Sequence, residues 1–341
     1  MGLAAEILDE LREAIAPDDK TLAAARLRRD EVLTAASDFS GVARTYLSGS
    51  IAHGTANYGL DADCGVVLDR RKWKDLGPDG DSIGPAQVVE SVRSHVRETL
   101  QETYPELGTR LTKRSIKLSF NCPLSNGLDP SVDLIVGLAR ADGALWIPNL
   151  ETDDWDPSDP EKHTALLTED PKSLRVTRAR IIRLAKCWNQ QYSMPGMCSF
   201  NIEALALLST VKDVGVVPGL LAFFEYSGTD LAKRLTPDPA GVSKSIKVNI
   251  ERDILVKRIE SAKDLLVSAI DDDPDDVQVR EALAELYWKH LDPPQESESK
   301  AAIAASLRKG NSGVRMTSSL SLAATGEVGL KTTRSYGSGD S

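Results

Sequence analysis

The sequence predicts an α+β protein of two lobes: a mixed β-sheet lobe with flanking helices, then an all-helical lobe, with the working surface in the cleft between them. Three observations predict it. Runs in which every second residue is apolar are confined to residues 42–148. From residue 172 onward apolar residues recur every three or four positions instead, the helical spacing. Between the two lies an acidic, proline-rich stretch, 149–171, which reads as the crossing from one lobe to the other.

Two helices open the chain, over about 2–15 and 20–37, separated by Pro17-Asp18-Asp19, which supplies a cap. A strand follows at 42–48 and runs into Gly49-Ser50, a turn and a short helix. The next strand spans 63–69. A Gly-, Pro- and Asp-rich loop covers 70–84, and a helix covers 85–103. Alternating patterns place strands at 113–121 and 131–139, with a fifth at 144–148. The later helices fall at 172–193, 199–213, 216–227, 250–270 and 275–290. The expected domains are 1–168, the sheet lobe with the N-terminal helices, and 169–292, the helical lobe. Residues 293–341, rich in Ser, Gly, Thr and Ala, are expected to be a disordered tail.

Composition narrows the function classes. The 341 residues are 41% hydrophobic but only 5% aromatic, so aliphatic side chains must fill the core. The net charge of −10 and a pI near 5.1 argue against binding long nucleic acid over a large area. The acidic excess is local, at 153–159 and 271–276, so a basic patch elsewhere is still open. Cys64, Cys122, Cys187 and Cys198 form no CxxC pair, and histidine is scarce. Neither a zinc site nor a disulfide framework is expected. The first 16 residues lack a basic start and apolar run, and no apolar run approaches membrane-spanning length. The expected location is the cytoplasm.

The chemistry concentrates in Gly49-Ser50, ten residues, then Asp61-Ala62-Asp63. Gly49 permits a tight turn and close approach to a ligand. Ser50 offers a hydroxyl and an N–H at a helix start, where phosphate oxygens are well received. Residues two apart on a strand point to one side, so Asp61 and Asp63 form a same-side pair. Side-by-side carboxylates repel unless a cation lies between them. Mg²⁺ suits them, since it takes oxygen ligands and keeps substrate phosphates in its shell. Asp133, in the apolar strand Ser131-Val132-Asp133-Leu134-Ile135-Val136, is the third candidate, because a buried acid needs a partner. Three acids make a centre of two ions conceivable. Cys64, next along, should face the core.

Gly49-Ser50-Ile51-Ala52-His53-Gly54-Thr55-Ala56 followed by Asp61-Ala62-Asp63 resembles the signature of polymerase-beta-like nucleotidyltransferases. The similar branch holds the oligoadenylate synthases, the animal cyclic GMP-AMP synthase and the bacterial CBASS anti-phage synthases, or CD-NTases. Leu184-Ala185-Lys186-Cys187-Trp188, Ser199-Phe200-Asn201-Ile202-Glu203-Ala204-Leu205 and Thr236-Pro237-Asp238-Pro239 resemble segments of that branch. The likeness spans roughly residues 40–270. It implies that Asp61 and Asp63 bind two Mg²⁺ or Mn²⁺ ions and Asp133 the catalytic one. It also implies that Gly49 and Ser50 hold the donor triphosphate, that Lys186 and Ser199 grip its phosphates, and that Phe200 stacks on a base.

Blander readings stand beside these. Lys186 reads either as a phosphate contact or as a solvated charge in the basic series Lys172, Arg175, Arg178, Arg180, Arg183. Ser199 reads as a phosphate ligand or a helix cap, Phe200 as a platform or as core. His53 reads as structural, and Thr55 as a further hydroxyl near the phosphates. The function implied is synthesis of cyclic di- or trinucleotides from NTPs (ATP and a second NTP) with release of pyrophosphate, the product being read by a separate effector protein in anti-phage signalling. The alternatives are transfer to an RNA 3′ end or to a protein, and an inactive nucleotide-binding scaffold. No membrane partner is expected.

Overall fold

A computed structural model describes residues 2–58, 60–210, 214–270 and 274–294. The expected tail at 293–341 thus falls, from residue 295 on, outside the described residues.

Strand β1 (Val42–Ser48) runs antiparallel to β2 (Asp61–Leu68), and β2 runs parallel to β5 (Ser131–Ala139). Beyond β5 come β4 (Ile116–Ser119) and β3 (Gly108–Leu111), antiparallel in turn. The far end of β5 also pairs with β6 (Leu145–Asn149), which pairs with β7 (Asp154–Ser158). Alternation along the central strands sorts their side chains by face. Ala62, Cys64, Val66 and Leu68 of β2 join Val132, Leu134, Val136 and Leu138 of β5 in one core. That face is covered by α2 (Asp19–Ser37) and α4 (Ala86–Leu100). The opposite face carries Asp61, Asp63 and Asp133, then a small apolar cluster of Tyr46, Val67, Leu145 and Ile147.

Helix α2 also fixes the entry to β5. The buried Arg28 guanidinium donates to Asp129 (2.6 Å) and to the carbonyls of Pro130 (2.7 Å) and Cys122 (2.5 Å). The chain is thereby held just ahead of Asp133.

The second core is helical, built from α6 (Lys172–Gln190), α7 (Ser199–Ser209), α8 (Val216–Lys233), α9 (Arg252–Ser268) and α10 (Asp276–Leu286) around Trp188, Phe223 and Phe224. Helix α1 (Leu3–Ala14) packs here, through Ala4, Ile7, Leu8 and Leu11, and not on the sheet. An amphipathic stripe fixes that a helix docks, not which apolar surface receives it.

Local structure departs from the sequence pattern at several points: β3 is not among the expected strands, and the helix expected at 199–213 ends at Ser209, with residues 211–213 outside the described ones. The expected strand at 113–121 is shorter, because Thr112 and Ser115 close a tight turn that joins it to β3. The crossing segment holds β7 and α5 (Pro160–Thr168). β7 escapes the pattern because Trp155 is its one buried apolar side chain, and Pro157 is tolerated at a sheet edge. α5 begins where Asp159 accepts from the Lys162 N–H, with Pro160 in the first turn. Among the described residues no helix is long and apolar enough to cross a membrane.

Candidate active site

The register of two strands brings the acids together. Asp63 lies beside Asp133 in the parallel β2–β5 pair, with Asp61 beside Ser131. Burial pushes the Asp63 carboxyl up to about 7, with help from the negative charges of Asp133 and Asp61. The other two acids are held by neighbours. Asp61 accepts from the Ser131 hydroxyl, and Asp133 from the Ser115 hydroxyl at 2.6 Å. Lys117 of β4 places its ammonium 3.0 Å from Asp61 and 3.7 Å from Asp133.

Gly49 starts α3 (Gly49–His53) with φ +74°, a left-handed conformation that favours glycine. A Cβ there would lie 1.9 Å from Asp63 Oδ2, so the turn is packed directly on the acid. Gly49→Ala is expected to cost at least ~1–2 kcal/mol from the backbone alone. The thermal midpoint should fall, and Asp63→Ala in the same chain should return part of the loss, because the carboxylate that lies nearest goes while the Asp63 Cβ, 2.5 Å away, and the strained backbone stay. Strictly additive losses would show that the contact does not matter. Gly65 has a similar duty, since the Tyr46 ring occupies the space where its Cβ would stand.

The two lobes meet across a cleft of about 690 Å³ lined by Gly49, Ser50, Asp61, Asp63 and Asp133 from the sheet and by Lys186, Ser199, Phe200 and Glu203 from the helices. Every sequence-derived candidate therefore faces one cavity. Lys186 is not a solvated charge: it is 3% exposed, and its ammonium donates to Glu203 (2.7 Å) and Thr55 Oγ1 (3.1 Å). Ser199 does not cap its helix. It is the first residue of α7, and the cap position is Cys198, which makes no side-chain capping bond. Phe200 is half-buried on the wall, its ring centroid 4.5 Å from that of His163. The basic series on α6 does not form one cationic face. Arg178 pairs with Asp170 at 2.7 Å, and Arg183 donates to the Arg12 carbonyl at 3.0 Å.

Several residues of the site have no role assigned from the sequence, although Glu203 and Asp238 lie within segments that carry the resemblance. Glu203 accepts from Lys186 and Thr55 through one oxygen, and its other oxygen lies 3.1 Å from His53 Nδ1. Burial pushes its carboxyl up, but Lys186 and His53 outweigh that and hold it at about 2. Asp238 accepts from the N–H groups of Ala240, Val242 and Ser243 and pairs with His163 at 2.7 Å. Burial raises its pKa, and the Ser243 N–H and His163 bring it down to about 2. That loop sets Ser243 and Lys244 on the cleft rim. Lys117, Ser115 and Ser131 were equally silent, since each sits in a strand pattern that reads as ordinary alternation.

The donor set suits a hard divalent cation: three carboxylates, all oxygen, with one lysine among them. Among the described residues no three His, Cys, Asp or Glu side chains are already spaced to enclose an ion. Lys117 and the two serines hold the oxygens of Asp61 and Asp133 instead.

No protein-family model matches the sequence, and no curated protein matches it. Solved structures do. CdnC of E. coli MS115-1, solved with ATP, superposes with a TM-score of 0.65 at 16% identity over 84% of this chain and 98% of that one. The CD-NTase CdnG of Bradyrhizobium diazoefficiens, in complex with GTP, gives 0.62 at 13% over 84% and 96%. DncV of Vibrio cholerae, a cyclic AMP-GMP synthase and prokaryotic cGAS homolog, gives 0.54 at 13% over 73% and 69%. The sheet lobe, the helical lobe and the cleft between them are thus the fold of these proteins, and at such identities the likeness is one of fold.

Proposed function

We propose that this chain is a metal-dependent nucleotidyltransferase that joins NTPs into cyclic di- or trinucleotides and releases pyrophosphate. The observation that carries the reading is the meeting of Asp61, Asp63 and Asp133 at one edge of the parallel strand pair, against the Gly49-Ser50 turn, in the cleft between the lobes. ATP and GTP in structures of the same fold support NTP substrates, and the linear intermediate pppApG bound to DncV supports stepwise ring closure.

Asp61, Asp63 and Asp133 would hold Mg²⁺ or Mn²⁺, two ions in the full arrangement. When bound, the metal supplies charge for the triphosphate and lowers the pKa of the attacking hydroxyl. Gly49 lets the backbone approach the phosphates, and Ser50 offers them its hydroxyl and N–H. Lys186 and Ser199 face the same volume from the helical lobe, where they would receive the outer phosphates. Phe200 would stack on a base. A ribose hydroxyl would give up its proton to solvent and attack the α-phosphorus, the bond from that phosphorus to the oxygen bridging the β-phosphate would break, and pyrophosphate would leave. The product would act on a separate effector protein, in anti-phage signalling in the cytoplasm.

The test is incubation with four labelled NTPs and Mg²⁺ or Mn²⁺, followed by phosphatase. A labelled product that resists phosphatase, identified as cyclic by mass spectrometry and absent from Asp61→Ala/Asp63→Ala, is the expected result. Label appearing only on added tRNA or on protein would replace cyclisation by transfer to a macromolecule.

A further inference from the structure

We propose that Lys117 is a built-in rival of the metal ion, filling the position between Asp61 and Asp133 and giving it up only when a metal–nucleotide complex arrives. The proposal rests on the assignment of these acids as metal ligands.

The geometry is specific. Lys117 stands opposite Asp133 across β4 and β5, yet its ammonium reaches past β5 to Asp61 on β2. Two strand spacings of roughly 4.8 Å separate the strands, and the lysine closes that distance only because the Asp61 carboxylate reaches back toward it. The side chain is only 20% exposed, so its charge does not simply trail in water. Its tip lies 3.0 Å from Asp61 Oδ2 and 3.7 Å from Asp133 Oδ2. The remaining oxygens are taken too: Ser131 donates to Asp61 Oδ1 and Ser115 to Asp133 Oδ1.

An ion joining Asp61 to Asp133 needs the oxygens that Lys117 engages. Two cations at that spacing repel, so metal entry and the lysine contact exclude each other. Lysine is suited to leaving, because its stem is flexible and its head is a point charge, not a planar fork. Between turnovers the ammonium offsets the repulsion of the clustered acids. The charge of an incoming triphosphate then draws the metal in and gives the displaced ammonium another anion to face. Divalent ions alone should therefore bind weakly, and the nucleotide should bring them.

The experiment titrates the full chain with Mn²⁺ alone, without nucleotide, reading free Mn²⁺ by electron paramagnetic resonance. Wild type, Lys117→Met, Lys117→Arg and Asp61→Asn are compared, with circular dichroism to confirm folding. Lys117→Met should bind Mn²⁺ about tenfold tighter than wild type, equivalent to ~1.4 kcal/mol. Lys117→Arg keeps the charge, and its planar fork grips carboxylates harder, so it should bind no tighter than wild type. If Lys117→Met fails to fold, Lys117→Gln serves as the neutral variant. Asp61-dependent binding that is unchanged or weaker without the lysine charge overturns the rivalry and leaves the metal assignment standing. Binding that Asp61→Asn does not reduce, or no binding in any variant, overturns both.

Discussion

Asp63→Asn is expected to abolish the proposed nucleotide transfer, by at least ~10³-fold, and yet to make the protein more stable in a chelator at pH 8. The two effects share one cause. Asp63 is buried beside two other acids, and its carboxyl is pushed up to about 7 for that reason. An unfolded chain would ionise it near its ordinary value of 3.8. Between those values the folded state keeps a proton that the unfolded state has lost, so stability falls as pH rises from about 4 to about 7. Above that window both states are ionised and the loss is complete. At about 1.4 kcal/mol per pKa unit, the change is on the order of a few kcal/mol. Asparagine cannot ionise, so the variant should lack this slope. Thermal midpoints in chelator at pH 5, 6, 7 and 8 check it: the gap between variant and wild type should widen to pH 7 and then level off. Adding Mn²⁺ at pH 8 should raise the midpoint of wild type and not of Asp63→Asn. A gap that does not change with pH would mean that Asp63 is not the strained acid of the cluster.

That acid was legible because its signal is local. Gly49, Ser50, Asp61 and Asp63 lie within fifteen residues, and period-two alternation alone puts both acids on one side of β2. Asp133 was legible because an acid in so apolar a strand demands a partner. Lys117 was not, since Ile-Lys-Leu-Ser reads as an ordinary strand and its target lies on β2, two strands away. Glu203 was hidden for a similar reason: within Asn-Ile-Glu-Ala-Leu it looks like a charge on a helix, and its partner His53 is 150 residues earlier. The docking of α1 on the helical core was also out of reach, because an apolar stripe of one helix fits either lobe. Short-range periodicity carries the elements and the acids. The contacts that close the cleft are long-range, and only the folded chain displays them.

One of those long-range contacts carries the other large effect. Glu203→Ala is expected to lower stability by about 3–5 kcal/mol, the range for removing one partner of a buried ion pair. It would leave the Lys186 ammonium, 3% exposed, with only Thr55 to bond. It would also cut the side-chain tie from α7 to His53 and Thr55, leaving Lys186–Thr55 and Arg183–Asn57 to hold the segment after α3 to the helical lobe. A fall of roughly 10 °C in the thermal midpoint would follow. Acid behaviour should change as well. Glu203 is held at about 2 against an ordinary 4.5, so between those values the unfolded chain binds a proton that the folded chain does not. Its contribution is therefore full above pH 4.5 and is lost as pH falls toward 2. Glu203→Ala should lack that part of the acid unfolding slope. Glu203→Leu with Lys186→Met replaces the pair by apolar groups of similar size and should recover much of the stability. It should not recover transfer if Lys186 faces the donor phosphates as proposed. A double variant that folds well and is still active would assign the pair to structure alone. One that folds well and is inactive would show that the lysine is buried in the cleft for its charge, with Glu203 there to keep that charge in place.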